Sequence, residues 1–225
     1  MDLDGSARPH PPPLNPRLPM TNSPHDAALR RDPVMRRVIA AVGPQPSYYR
    51  ERTDFETACR IIVGQQLSYA AATTIWGRVR GVVPRWNPAG VAALSADRLR
   101  TLGLSRSKAS FILELATRGA SGDLDFRRIR RGDDAAAAES LLGIKGFGPW
   151  SVEMFLIFAL GRDDVFSVGD AGLRRAICDL YDVSPGHYQR RVGAITERWR
   201  PYRSHACRYL WGWLEHSARK AKAEG

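Results

Sequence analysis

Cysteine is scarce in this chain of 225 residues. Cys59, Cys178 and Cys207 stand far apart, and no CxxC pair occurs. A zinc or iron–sulfur site built on cysteine is therefore not expected, and the odd, scattered set fits a reducing compartment. Lysine is scarce too: of 34 basic residues only Lys108, Lys145, Lys220 and Lys222 are lysine. No apolar run reaches the length of a bilayer span. The opening MDLDGSARPHPPPLNPRLPM lacks the hydrophobic core of a secretory signal. A cytoplasmic protein without a membrane partner is expected. No sustained alternation of apolar and polar residues occurs, so strands are not expected, and no repeat of solenoid period is visible.

What remains is a basic chain with recurrent helix punctuation. Hydrophobic residues make up 44%, enough for one substantial core or two small lobes. The net charge of +11 favours a polyanionic partner, although a solvated, arginine-rich surface would look the same. The prolines of residues 1–24 read as a flexible tail. Beyond it, helix starts recur at Asp32-Pro33, Thr53 (a capping box with Glu56), Ser68, Asn87-Pro88, Ser95, Ser105 and Asp133. Asp170, Ser184-Pro185 and Ser204 start the last three helices, and Gly43 and Gly103 are stops. The fold class is all-α, with about ten helices.

Residues 141–170 read LLGIKGFGPWSVEMFLIFALGRDDVFSVGD. Gly146, Gly148 and Pro149 make a tight hairpin between two apolar helical stretches. Bare backbone N–H groups at such a turn suit a phosphate, but an ordinary helix–turn–helix closed by glycine has the same sequence. Asp170 follows Gly146 by 24 residues (170 − 146). It is either a plain N-cap for the helix that follows or a carboxylate that does chemistry beside whatever the hairpin holds; both roles can coexist.

The hairpin and VGD segments, with IIVGQQLSYAAATTI at 61–75 and ERWRPYRSHACRYLW at 197–211, resemble the helix–hairpin–helix DNA glycosylase superfamily. Within it they resemble the alkylbase (3-methyladenine) glycosylases of the inducible bacterial type. The resemblance runs from about residue 32 to 213. It implies a monofunctional enzyme that flips an alkylated base out of double-stranded DNA and hydrolyses its N-glycosidic bond in base excision repair. Asp170 would stabilise the positive charge that builds on the deoxyribose. Lys145, Gly146, Phe147, Gly148 and Trp150 would form the DNA-binding hairpin, with unusual φ at both glycines. By motif position the carbonyls of Leu142, Ile144 and Phe147 would hold a monovalent cation, Na+ or K+.

Trp150 stands where strand-cutting relatives carry a nucleophilic lysine, and indole cannot form a Schiff base. No lyase activity is expected, nor any required cofactor. Trp150, Trp211 and Met154 would line the base pocket, where indole stacks on a cationic base; Trp211 also reads as an ordinary core residue. The inducible relatives carry an aromatic at the Met154 position, so this pocket departs from theirs. Leu67, with Gln66 beside it, is the candidate wedge that fills the stack after flipping, although a buried leucine at a helix junction is equally consistent. The β-rich N-terminal domain of the inducible relatives has no counterpart here, so a compact, helical form is expected.

The expected architecture is two helical lobes with a cleft: residues 25–52 with 164–225, and a central lobe over 53–163 carrying the helix–hairpin–helix at about 134–161. A monomer is expected. The alternatives are a glycosylase for another base lesion and a non-enzymatic helix–hairpin–helix DNA-binding protein; the second needs neither Asp170 nor the pocket aromatics.

Overall fold

A computed structural model describes residues 23–44 and 54–224. The tail expected over 1–24 lies outside them up to residue 22, as do Thr53 and its capping box. Every regular element among the described residues is helical. None of these helices is long and apolar enough to cross a membrane. The chain divides into two compact units. Among the described residues, a split unit takes 23–44 with 162–224, and a continuous unit takes 54–161.

The split unit opens with α1 (Pro24–Leu29) and α2 (Pro33–Val42). In the continuous unit follow α3 (Asp54–Gly64), α4 (Tyr69–Arg80), α5 (Pro88–Ala92), α6 (Ala96–Thr101), α7 (Arg106–Ser121), α8 (Phe126–Arg131), α9 (Asp134–Leu142) and α10 (Pro149–Phe155). The last runs directly into a π-helical segment, Leu156–Leu160. The split unit resumes with α11 (Ala171–Tyr181), α12 (Tyr188–Glu197) and α13 (Arg203–Ala223). This is more helices than the sequence signals suggest. The additions are short pieces such as α1 and the arginine-rich α8, whose six residues each give periodicity little to work on.

Local chemistry explains most of the boundaries. Asp32 Oδ1 accepts from the N–H groups of Val34 and Met35 at 2.9 and 3.4 Å, with Pro33 in the first turn. Ser68, Asn87, Ser95, Ser105 and Asp133 each cap the helix expected of them. Gly43 at φ 77° and Gly103 at φ 106° close theirs. Ser204 does not start α13; Tyr202 is the N-cap, and Ser204 sits inside the first turn at 0% exposure. Its hydroxyl accepts from Val165 N–H at 2.9 Å and lies 3.2 Å from Val165 O, tying the chain before Asp170 to α13.

In the continuous unit, α3 is the central helix. Phe55, Ala58, Cys59 and Ile62 on it are buried, with Ile112 and Leu115 of α7 and Phe155 of α10. Each large apolar side chain so buried contributes roughly 1.5–3 kcal/mol. The π segment is anchored through Arg130, which donates to Ala159 O at 2.9 Å while pairing with Asp54.

In the split unit, α13 packs against α2 and α11. Asp32 is a buried hub there: beyond its two cap bonds, Oδ2 accepts from Tyr181 OH at 2.9 Å and Trp199 Nε1 at 3.2 Å. Nearby, His25 and His205 stack with ring centroids 3.8 Å apart, and His205 Nε2 lies 2.9 Å from Asp163 Oδ1.

Burial lowers the pKa of His205 to about 4, with Asp163 pulling the other way, and it lowers that of His25. Both depressions favour the neutral rings in the folded state. The unfolded chain binds more protons between the two His205 values, so stability is fully present above about pH 6.5 and is lost as pH falls toward about 4. Urea melts across this range should show the loss, and His205→Phe should flatten it; an unchanged slope would rule out His205 as its source.

Candidate active site

Asp170 is the N-cap of α11 and is 1% exposed. Its Oδ1 accepts from Leu173 N–H at 2.8 Å and from the Trp211 indole N–H at 3.1 Å. The first bond is the cap that the sequence predicts. The second comes from α13 and fixes the carboxylate from a direction that local sequence cannot supply. Cap and candidate catalyst are thus one side chain, which leaves both sequence readings standing.

The segment leading to Asp170 is held at several points by residues 197–211. Arg203 donates to both carboxylate oxygens of Asp164, at 2.7 and 3.1 Å, and Arg200 to Oδ2 at 2.9 Å. Ser204 bridges to Val165 as described. Tyr188 OH, from α12, donates to Val168 O at 3.1 Å, and Asp170 N–H donates to Ser167 O at 3.2 Å. The motif RWRPYRS is therefore a frame for the loop that presents the carboxylate. Trp211, expected as a base-pocket wall, is 3% exposed and is a partner of Asp170.

In the continuous unit, α9 and α10 flank the glycine hairpin. Phe147 N–H donates to Ile144 O at 3.0 Å, closing a tight turn with Gly146 at φ 87°. A Cβ on Gly146 would stand 2.2 Å from the Phe111 ring, so both backbone conformation and space demand glycine. Gly148 departs from the expectation. Its φ of −110° is ordinary extended backbone, and a Cβ there would meet nothing within 4 Å. The reason is its station as the N-cap of α10, where extended backbone is the rule. Glycine at the cap offers no side chain to the first-turn N–H groups of α10, which leaves that end suited to an anion.

The remaining site residues fall as follows. Lys145 is exposed, and Phe147 is 7% exposed with its ring edge-on to Phe155. Leu142 is 50% exposed. Trp150 is half-buried and Met154 2% exposed, so Trp150 carries the accessible surface of the two. Trp150 and Met154 belong to the continuous unit, Trp211 and Asp170 to the split unit.

At the α3–α4 junction Gln66 adopts φ 56°, rare for a residue with a side chain, and is exposed, whereas Leu67 is half-buried. Gln66 is thus the more prominent of the two wedge candidates. Sequence reasoning overlooked Gln65. Its Nε2 donates to Gly146 O at 2.7 Å and to Ser151 Oγ at 2.9 Å, joining the wedge turn to the hairpin.

The hairpin thus ends at a helix N-terminus with no side-chain cap, and the candidate carboxylate is a buried N-cap. Residues 59–201 match the family model described as HhH-GPD superfamily base excision DNA repair protein, and the chain belongs to that superfamily.

The chain is similar to a solved DNA-3-methyladenine glycosidase from Bacillus halodurans, at 35% identity and TM-score 0.69, covering 85% of this chain and 89% of that one. It is also similar to the Schizosaccharomyces pombe 3-methyladenine DNA glycosylase Mag1 in complex with abasic DNA, at 26% identity and TM-score 0.75, covering 84% and 95%. Among curated relatives, DNA-3-methyladenine glycosylase 2 of Escherichia coli is 27% identical over 73% of this chain and 60% of its own length. The chain spans between 39% and 60% of the length of several curated relatives.

The two hairpin glycines should separate in experiment. Gly146→Ala drives a methyl group into Phe111 at positive φ and should cost about 1–3 kcal/mol or more of stability, read by urea denaturation. Gly148→Ala should leave the melting midpoint nearly unchanged and weaken binding to undamaged duplex. Equal stability losses in both would contradict the geometry.

Proposed function

We propose that the protein is a monofunctional DNA glycosylase that removes alkylated bases of the 3-methyladenine and 7-methylguanine type from double-stranded DNA in base excision repair. The observation that carries this reading is Asp170: a carboxylate at 1% exposure, fixed on one oxygen by a backbone N–H and an indole N–H. Its relatives among the 3-methyladenine glycosylases support it, as does the abasic DNA held by Mag1, since an abasic site is what base release leaves behind.

The chemistry follows from charge. As the N-glycosidic bond stretches, positive charge grows on the deoxyribose, and an oriented carboxylate stabilises it without having to reorganise. An alkylated purine is already cationic and leaves without strong acid assistance, so one carboxylate suffices. The same group can orient the attacking water. Gln66 and Leu67 would fill the gap left by the flipped base, and the indole of Trp150 would stack on that base. The first turn of α10 would grip a phosphate, which positions the protein without reading sequence.

The carbonyls of Leu142, Ile144 and Phe147 fit a Na+ or K+ ion in chemical kind, because a hard cation takes oxygen donors and Ile144 O keeps a second lone pair beside its bond to Phe147 N–H. When bound, such an ion would add positive charge beside the phosphate. Among the described residues no group of three or more His, Cys, Asp or Glu side chains forms a metal site. The protein would work as a monomer on DNA in the cytoplasm. With Trp150 in place of a lysine nucleophile, it would stop at the abasic site.

Asp170→Asn keeps an Oδ1 acceptor for Leu173 and Trp211 and should fold normally, yet lose roughly 3 kcal/mol or more of transition-state stabilisation, a fall of at least ~100-fold in single-turnover excision. Near wild-type release of 3-methyladenine by this variant would reduce Asp170 to a helix cap. Borohydride should trap no protein–DNA adduct on an alkylated duplex, and a trapped adduct would overturn the monofunctional reading.

A further inference from the structure

Lys108 lies one turn into α7, and the Nζ hydrogen bonds it makes are to backbone carbonyls rather than to a carboxylate. It donates to Val63 O at 2.9 Å and to Gln65 O. Those carbonyls belong to the last turn of α3 and the residue after it, where unpaired carbonyls and the helix dipole favour a cation. Gln65 in turn gives both Nε2 protons to the hairpin side, to Gly146 O and to Ser151 Oγ, and Ser151 is 2% exposed. Three residues beyond Lys108 on α7, the Phe111 ring fills the space beside Gly146 where any larger residue would clash. The contacts close a triangle: α7 holds the α3–α4 turn through Lys108, α7 meets the hairpin through Phe111, and Gln65 ties turn to hairpin.

We propose that Lys108 is a positioning residue for base extrusion: acting through Gln65, it fixes the Gln66–Leu67 turn to the hairpin, so that wedge and phosphate grip act as one rigid body. The proposal rests on the glycosylase reading given above. Its physical motive is leverage. A wedge entering the base stack pushes back on its own turn, and the work of unstacking is delivered only if that turn is braced against the part that holds the backbone. The brace sits at a junction that holds a residue at φ 56°, a conformation rare for a residue with a side chain. Burial lowers the Lys108 pKa to about 8, which agrees with an ammonium drawn out of water to serve those two carbonyls.

The test uses the full chain and a duplex carrying 7-methylguanine, either paired with cytosine or placed opposite an abasic site, where no pair has to be broken. Lys108→Met should slow single-turnover excision of the paired lesion by at least ~10-fold and of the unpaired lesion by less than ~3-fold, with partial recovery in Lys108→Arg. In a Gln66→Ala, Leu67→Ala background, Lys108→Met should add nothing, because the part it braces is gone. Equal slowing of both lesions, or full additivity with loss of the wedge, would overturn the proposal and leave Lys108 a stability residue.

Hydrogen exchange on the free protein provides a readout independent of activity. Lys108→Met should lower amide protection at residues 144–148 together with 63–67, and an unchanged hairpin would break the proposed link. If the wild-type protein releases no alkylated base, the glycosylase reading fails and base extrusion falls with it, while the exchange data still decide whether the brace exists.

Discussion

A carboxylate withdrawn from water must find donors, because an unpaired buried charge costs several kcal/mol even after the surroundings relax. The split unit contains three such groups, Asp26, Asp32 and Asp170, all below 10% exposure. Each has at least one donor from an aromatic side chain with a polar edge: Tyr209 OH for Asp26 at 2.6 Å, Tyr181 OH and Trp199 Nε1 for Asp32, Trp211 Nε1 for Asp170. A ring that fills core volume and ends in an N–H or O–H meets both demands at one position. Three of these aromatics lie within residues 197–211, which explains why that segment carries so many chemically specific side chains. It satisfies the charges around which α1, α2 and α11 are arranged.

Several of the basic side chains are engaged in ion pairs within the protein. Arg130 is spent on Asp54 and the π segment, Arg80 on Glu56, Arg200 and Arg203 on Asp164. Such pairs cancel within the sum, so the net charge of +11 is the excess that remains after them. The hairpin carries a glycine N-cap without a side-chain cap bond, an exposed Lys145 and a buried Phe147 ring.

What the sequence made legible was local. Asp32, Ser68, Ser105 and Asp133 cap as their spacing predicts, since a cap bond spans two or three residues and leaves a short-range pattern. The helical class and the position of Asp170 were readable for the same reason. What stayed hidden spans long separations: Trp211 reaches Asp170 across 41 residues, Lys108 reaches Gln65 across 43, Gln65 reaches Ser151 across 86. Ser204 was misread because a serine before an apolar helical run looks like a cap, whereas its hydroxyl is engaged with Val165, 39 residues earlier. Gly148 was misread because glycine in a hairpin suggests positive φ, and only Gly146 adopts it. One signal was available in retrospect: in a chain that otherwise uses arginine, Lys108 is the first lysine to appear, and a compact ammonium suits a pair of backbone carbonyls better than a planar guanidinium does.

The π-helical turn after α10 makes chain length itself a constraint. A π turn holds more residues than an α turn, so Leu156–Leu160 stores the equivalent of one added residue between the hairpin and Gly161. Each residue of an α-helix advances about 100° around the axis. Inserted into a helix that stayed α, one residue would turn all that follows by that angle; the wider turn absorbs it, and deleting one residue would return the segment to ordinary α-helix with its phase kept. Substitutions along this stretch trade one side chain for another, but a one-codon deletion would remove the wide turn that carries the Ala159 carbonyl.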